Sequence, residues 1–237
     1  IVARAGLHMW EEPCISGTKG SGTVFFSGCN LHCVFCQNYD ISCKGFRKEI
    51  SIERLQEIYQ ELIAQGAHNI NLVTPTHSTE AVIKSLPAPL SVPVVYNTSG
   101  FESQDTLRRL KGKVQIYLPD LKYSDDKLAI KYSNAPYYFR IATDAIKEMY
   151  RQVGDYKIND DGIMESGVII RHLIMPGHLE NSKKVIDWVA QNFKPGQVMF
   201  SLMHQYVPCG RAAEFPEINR KVTAEEYAEI EQYLMDS

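Results

Sequence analysis

The chain has 237 residues, of which 44% are hydrophobic, and its formal net charge at pH 7 is −3. This length suffices for one sizeable core, and so small a negative charge would not attract nucleic acid or an anionic membrane surface. The sequence contains no run near the roughly 20 apolar residues that a membrane span requires, and its first residues do not resemble a secretory signal peptide. We therefore expect a cytoplasmic protein that binds neither nucleic acid nor membrane.

Segments typical of strands alternate with segments typical of helices along the chain. The predicted strands cover residues 22–27, 69–74, 92–97, 114–118, 167–175 and 198–203. The predicted helices cover residues 51–66, 78–86, 104–110, 125–153 and 181–193, and a last helix begins at a capping box, residues 223–226. Six successive strand–helix units predict an α/β fold with a parallel sheet and crossover helices. Both an open partial barrel and a doubly wound sheet fit this pattern.

A single domain over residues 1–237 is predicted, because no change of composition marks a second one. Residues 1–19 precede the first predicted strand as an N-terminal extension. Residues 206–221 contain Pro208, Gly210 and Pro216 and are predicted to form a long loop near the functional face. Long loops of this kind are often functional.

Polar residues follow the predicted strands at the point where each strand ends. They include Thr74, Thr76, His77, Asn97, Thr98, Ser99, Asp120, Lys122, Arg171, His172 and His204. Ligands of parallel α/β folds bind at the carboxyl ends of the strands, so these residues predict a shared site. Turn chemistry alone would explain Ser99 but not Arg171, which interrupts an apolar strand. For Asp120 and Lys122, an ion pair at a surface turn is the alternative.

Three of the six cysteines, Cys29, Cys33 and Cys36, lie within eight residues. A 4Fe–4S cluster takes four thiolates, so three would leave one iron with an open position, which marks a reactive metal. The alternative is a zinc ion held by these cysteines with His32 or another histidine. The remaining cysteines are scattered and are predicted to be small buried side chains or incidental thiols: Cys14, Cys43 and Cys209.

The motif Cys29-x-x-x-Cys33-x-x-Cys36, with Phe35 directly before its last cysteine, resembles the signature of the radical S-adenosylmethionine (SAM) superfamily. The wider sequence resembles the pyruvate formate-lyase activating enzyme and its relatives over nearly the whole chain. The stretches that carry this resemblance are residues 10–13, 20–23, 36–39, 73–77 and 117–122. The resemblance implies a partial (β/α)6 barrel with outer helices. It also implies a 4Fe–4S cluster on the three cysteines, with SAM bound at the open iron.

The resemblance assigns roles to further residues. Phe35 would lie near the adenine of SAM, and Asn38 would support the cluster loop. SAM binding would involve the residues after the second and third strands: Thr74, Thr76, His77, Asn97, Thr98 and Ser99. Asp120 and Lys122 would form a polar wall near the ribose or the substrate, and Arg171 would pair with a carboxylate.

Two loops depart from the family pattern. A Gly-Gly-Glu run that holds the amino group of SAM is replaced here by residues 74–76, Thr-Pro-Thr, so hydroxyls and backbone carbonyls would do that work. An Asp-Thr-Asn-Gly run is replaced by residues 97–100, Asn-Thr-Ser-Gly, which lacks the carboxylate. Any cation held at the second loop would therefore bind less well.

The resemblance implies an activity and a set of partners. An external one-electron reductant of the flavodoxin or ferredoxin type would supply the cluster, and SAM would be cleaved to methionine and a 5′-deoxyadenosyl radical. This radical would abstract a hydrogen atom, with a glycine of a partner glycyl radical enzyme as the expected substrate. The alternatives are radical modification of another protein or of a small molecule. A different class is a non-catalytic zinc or iron–sulfur binding module.

Overall fold

The computed structural model describes residues 2–44 and 48–237. The first half contains, in chain order, β1 (Val2–His8), α1 (Pro13–Ser16), β2 (Ser21–Phe26), α2 (Tyr39–Ser42), α3 (Ile52–Ala64), β3 (Ile70–Val73), α4 (Thr79–Ser85), β4 (Val94–Thr98) and α5 (Gln104–Leu110). The second half contains β5 (Ile116–Pro119), α6 (Asp126–Ser133), α7 (Tyr138–Val153), β6 (Lys157–Ile158), β7 (Met164–Leu173), α8 (Leu179–Asn192), β8 (Met199–Met203) and α9 (Ala224–Met235). Within this part of the chain, no helix is long and apolar enough to cross a membrane.

Six strands pair in parallel, in the order β2, β3, β4, β5, β7 and β8. This order follows the chain without the reversal that a doubly wound sheet contains. The α/β prediction is confirmed, and the arrangement is that of a partial (β/α)6 barrel. Two strands were not predicted: β1 pairs antiparallel with β2, and β6 pairs antiparallel with β7. β1 is an edge strand with mostly exposed or half-buried side chains, and β6 has only two residues, so neither carries a clear hydrophobic pattern.

The helical material predicted over residues 125–153 forms two helices, α6 and α7. Asn134 and Tyr137 adopt positive φ angles of 51° and 60°, which take the backbone out of the helical region. Between them Pro136 lacks an amide hydrogen, so a helix could not pass through this point unbroken. The result is that α6 ends beside the cysteine loop rather than running past it.

The sheet has a different core on each face. On its outer face, residues such as Tyr96, Tyr117 and Ile170 pack with the helices in one large hydrophobic cluster. A second, smaller cluster lies on the inner face and contains Cys14, Ile15, Val95, Ile116, Leu118, Met164 and Ile169. Cys14 and Ile15 belong to α1, so the predicted N-terminal extension first adds a strand to the sheet and then fills the interior of the partial barrel.

Candidate active site

The cysteine loop begins where β2 ends, at the carboxyl edge of the parallel strands. Gly28 has a φ angle of 94°, a conformation that glycine adopts without strain, and it turns the chain from the strand into the loop. Cys29, Cys33 and Cys36 are half-buried, and none forms a disulfide. Burial raises the pKa of the Cys29 thiol to about 12, and it raises the pKa of Cys33 as well. Without a metal these two thiols therefore hold their protons, which an iron ligand must release.

Two segments hold this loop from either side. The amides of His32 and Val34 donate to the last carbonyls of α6, on Ser133 at 3.1 Å and on Tyr132 at 2.8 Å. On the other side, the Arg211 amide donates to the Val34 carbonyl at 2.6 Å. The loop predicted over residues 206–221 thus lies against the cysteine motif. Its two short 3-10 helices lie at Ala212–Glu214 and Pro216–Ile218.

Gly210 explains how closely the two loops approach each other. A Cβ atom at this position would lie 2.8 Å from the Val34 carbonyl oxygen, closer than real contacts allow. Beside it, the ring of Phe35 packs against Tyr206 with 5.6 Å between the centroids. Phe35 was predicted to lie near the adenine of SAM. Its side chain is 6% exposed and belongs to the hydrophobic core.

A network of charged and amide side chains lies on the inner face, next to the cysteines. Arg171 donates to Asp120 at 3.0 Å, to Glu11 at 2.8 Å and to Asn97 at 2.7 Å. The Glu11 carboxylate also accepts from the side-chain amides of Asn71 and Asn97, each at 3.1 Å. The predicted residues Asn97, Asp120 and Arg171 are therefore brought together. The carboxylates that pair with Arg171 are the protein's own, which leaves its guanidinium as a positioning group.

Lys122 joins this network through Asp120, at 2.5 Å, with both side chains less than a fifth exposed. This pair is half-enclosed in the site, not a turn ion pair at the surface. Burial alone would raise the pKa of the Asp120 carboxyl, but Lys122 and Arg171 hold it below its ordinary value. Burial alone would lower the pKa of Lys122, because it disfavours the charged ammonium. The negative charge of Asp120 has the larger effect, so the pKa of Lys122 is raised. Both residues are therefore charged at neutral pH, and the ammonium lies close enough to Cys29 and Cys33 to affect both thiols.

The loops after β3 and β4 are joined by a carboxyl group that the sequence analysis missed. Glu102 is 2% exposed, and its Oε1 atom accepts from the hydroxyls of Thr76 and Thr98, each at 2.5 Å. Its Oε2 atom is buried and has no hydrogen-bond partner among residues 2–44 and 48–237. Burial, partly offset by the threonine hydroxyls, raises the pKa of Glu102 to about 7. Glu102 thus bridges two of the loops that were predicted to bind SAM.

Four other predicted positions lie at the same edge in different settings. Thr74 has a φ angle of 55°, which is rare for a β-branched residue, and such strain is often found at functional sites. His77 contacts the Ser27 carbonyl through Nε2 at 2.6 Å and so ties the β3 loop to the cysteine loop. The carbonyl of Ser99 accepts from the Tyr138 hydroxyl at 2.7 Å. The Asn38 side chain is exposed, and its carbonyl accepts from the amides of residues 41 and 42.

Glu11 is the second residue that the sequence analysis missed. It lies within the stretch 10–13 that carries the family resemblance, and this was the signal that could have drawn attention to it. The sequence alone does not show which residues the Glu11 carboxylate contacts. It reaches Arg171 because residues 9–16 fold into the barrel. His172, which follows Arg171, points to the outer face instead and is fully buried between Leu121 and Ser182.

The donor set fits an iron–sulfur cluster. Three unpaired thiols lie on one loop, beside the buried ammonium of Lys122, which would offset part of the negative charge of a thiolate cluster. Among residues 2–44 and 48–237, no three His, Cys, Asp or Glu side chains are grouped as the ligands of a single metal ion would be. A cubane does not require that grouping, since each thiolate binds a different iron.

The comparison with protein families identifies the class. The model of the radical SAM superfamily matches residues 23–189, and the chain belongs to that superfamily. Members of this family hold a 4Fe–4S cluster and SAM, so both predicted cofactors are confirmed. The chain is 34% identical over 238 residues to the uncharacterized protein MJ0674 of Methanocaldococcus jannaschii, and the match covers 96% of this chain but 64% of that relative.

Solved structures share the fold at low sequence identity. SuiB of Streptococcus suis, bound to S-adenosylmethionine, is 16% identical with a TM-score of 0.61, over 90% of this chain and 46% of that one. The maturase HydG of Carboxydothermus hydrogenoformans is 15% identical with a TM-score of 0.59, over 90% and 51%. A spore photoproduct lyase variant with bound AdoMet and dinucleoside spore photoproduct is 12% identical with a TM-score of 0.61, over 98% and 75%.

Proposed function

We propose that this protein is a radical SAM enzyme that abstracts a hydrogen atom from a peptide or protein substrate, with a glycine of a partner glycyl radical enzyme as the specific target. The observation that carries the enzymatic part is the placement of three free thiols beside the Asp120–Lys122–Arg171 network. When bound, the cluster and SAM supply the electron transfer and the 5′-deoxyadenosyl radical. The glycine target is supported by the resemblance to the activating enzymes.

A peptide or protein substrate also has a parallel in the fold family. One of the solved structures that share this fold is SuiB bound to its precursor peptide SuiA, with a TM-score of 0.59. A surface cavity lined by Asn30 of the cysteine loop, Thr76 and residues 101–104 is where such a segment would enter. An external one-electron donor of the flavodoxin or ferredoxin type is the proposed reductant, and free thiols with an oxygen-sensitive cluster support a cytoplasmic location.

The protein's own side chains would bind SAM and hold one another in position. Lys122 donates one of its three N–H groups to Asp120, so two remain that would bind the carboxylate of SAM. Asp120 keeps that ammonium in place, and Arg171, with Glu11 behind it, keeps Asp120 in place. Thr74, Thr76 and Asn97 line the loops where the amino group and ribose would lie.

The enzymatic part is tested by anaerobic reconstitution followed by dithionite and SAM. We expect 5′-deoxyadenosine from the wild type, and a large loss of it from Lys122→Met because the carboxylate of SAM loses its cation. Lys84→Met, which removes a lysine from an exposed helical pair, is the matched control and should retain activity. Failure to produce 5′-deoxyadenosine from protein with a verified cluster would rule out the enzyme and leave a non-catalytic module; metal analysis showing one zinc would do the same.

The substrate is tested separately with a candidate glycyl radical protein labelled with deuterium at its glycines. Deuterium in the 5′-deoxyadenosine and a glycyl radical signal in the electron paramagnetic resonance (EPR) spectrum are the expected results. If 5′-deoxyadenosine forms without deuterium, the enzymatic part stands and the glycine target does not. The next candidates are then another protein side chain and a small molecule, tested by the same transfer of label.

A further inference from the structure

A buried pair of hydroxyl groups contacts one of the three cysteine sulfurs. The Ser133 hydroxyl lies 2.9 Å from the sulfur of Cys33, and the Tyr123 hydroxyl lies 2.6 Å from the oxygen of Ser133. Both Ser133 and Tyr123 are fully buried. Ser133 is the last residue of α6, and its carbonyl also holds the His32 amide, so its position relative to the loop is fixed from two directions.

The direction of the hydrogen bonds follows from the number of protons. An iron-bound thiolate has no proton and can only accept, so the Ser133 hydroxyl must donate its proton to sulfur. The Ser133 oxygen is then free to accept, and the Tyr123 hydroxyl donates to it. Tyr123 thereby prevents the serine proton from turning away from Cys33. No water competes for these groups, because neither side chain reaches the surface.

The other two cysteine sulfurs lack such an arrangement. Cys29 accepts from the backbone amide of Leu31 at 3.4 Å. Cys36 contacts the Ser42 hydroxyl at 3.3 Å, but that serine is half-buried and also lies 3.5 Å from the sulfur of Cys43. The directed pair of hydroxyls is thus specific to Cys33 among these three ligands.

We propose that Tyr123 and Ser133 set the reduction potential of the cluster through the sulfur of Cys33. Reduction by one electron adds negative charge to the cluster and its thiolates, and a hydrogen bond to a ligand sulfur stabilises the more negative state. The pair therefore raises the potential and brings the cluster within reach of a cellular one-electron donor. Ser133 acts directly on a ligand, while Tyr123 is a positioning residue that acts through Ser133. This inference requires the cluster but not the proposed substrate.

The test is the midpoint potential of the reconstituted cluster, measured by an EPR-monitored redox titration without SAM or substrate. Ser133→Ala removes the donor to sulfur and should shift the potential to a more negative value. Tyr123→Phe leaves the serine but removes its orienting partner, so a smaller shift in the same direction is expected. Ser133→Thr keeps a hydroxyl and should restore most of the wild-type potential.

The chain offers a matched control in Ser85→Ala. Ser85 is also buried and also lies within hydrogen-bond distance of a buried tyrosine, Tyr59, at 3.0 Å, but it contacts none of the cysteines. This variant should keep the wild-type potential. Wild-type potentials in both Ser133→Ala and Tyr123→Phe, at equal iron and sulfide content, would overturn the proposal. If Ser133→Ala does not assemble a cluster, an unshifted Tyr123→Phe overturns it alone.

Discussion

The inner face of the partial barrel has two layers that use the same strands differently. In the lower layer, Val95, Leu118 and Ile169 pack against Ile15 as an apolar core. Two residues further along each strand or its extension, the same face carries Asn97, Asp120 and Arg171. Because side chains of a strand alternate between faces, residues two positions apart point to the same face. The inner face therefore changes from apolar to polar within two residues of each strand.

The N-terminal segment serves both layers. Ile15 fills the lower layer, and Glu11, four residues earlier, accepts from Arg171 in the upper layer. A polar site is thus built on an apolar layer: the apolar layer excludes water from below, and the partly buried charges above it hold one another in place. The lower layer should therefore control stability, and the upper layer both stability and chemistry.

The largest expected difference is in iron content, between variants of a cysteine in the cluster loop and of a cysteine in the lower layer. Cys33→Ala should abolish the cluster, because the ligand atom is lost, whereas Cys14→Ala in the lower layer should keep about four irons per chain. Iron content and visible absorbance after anaerobic reconstitution measure both. A Cys33→Ala protein with full iron content would show that the three-cysteine assignment is wrong.

The upper layer is tested for stability with Arg171→Met. This change leaves Asp120 and Glu11 with fewer partners in a half-enclosed site, and breaking such a pair costs about 3–5 kcal/mol. Arg109→Met removes an exposed pair with Glu80 and should change the free energy of unfolding by less than about 1 kcal/mol. Urea unfolding of both variants gives the comparison, and equal losses would mean that the network contributes no more than a surface pair.

The lower layer is tested with Ile15→Ala. Ile15 is fully buried, so the cavity should reduce the free energy of unfolding by about 2–5 kcal/mol. Iron content should remain at the wild-type level, because the lower layer does not contact the cysteines. Leu7→Ala, at a side chain that is 39% exposed, is the control with a small expected loss. A reconstituted Ile15→Ala protein that folds but lacks iron would show that the two layers are not separable.

The last comparison lies at the edge of the upper layer, where the effect of Glu102→Gln on stability should depend on pH. The folded-state pKa of Glu102 is raised to about 7 from 4.5, so its favourable contribution is present below pH 4.5 and is lost as the pH rises through 7. Relative to the wild type, the variant should gain about 3 kcal/mol between pH 4.5 and pH 8. Denaturant unfolding at the two pH values measures the change, with Glu57→Gln, at an exposed position of α3, as control. An unchanged difference would mean that burial does not raise the folded-state pKa of Glu102.

Part of the site was predictable because its residues are close in sequence. Cys29, Cys33 and Cys36 lie on one loop, and Asp120 and Lys122 end one strand, so spacing and strand position sufficed. Glu11 and Glu102 could not be found in this way. Glu11 is 160 residues from Arg171 in the chain, and Glu102 reaches Thr76 across 26 residues, so neither contact has a local signature.

The order of the six parallel strands, the helix caps at Ser51 and Thr223, and the cysteine motif were determined by the sequence alone, because hydrophobic periodicity, capping and ligand spacing are local properties. The tertiary structure decided which side chains meet. In the folded protein, residues 9–16 enter the barrel and the guanidinium of Arg171 pairs with the carboxylates of Glu11 and Asp120. The Ser133 hydroxyl lies within hydrogen-bond distance of the sulfur of Cys33. Such contacts depend on how strands close and helices end in space, and no short stretch of sequence specifies them.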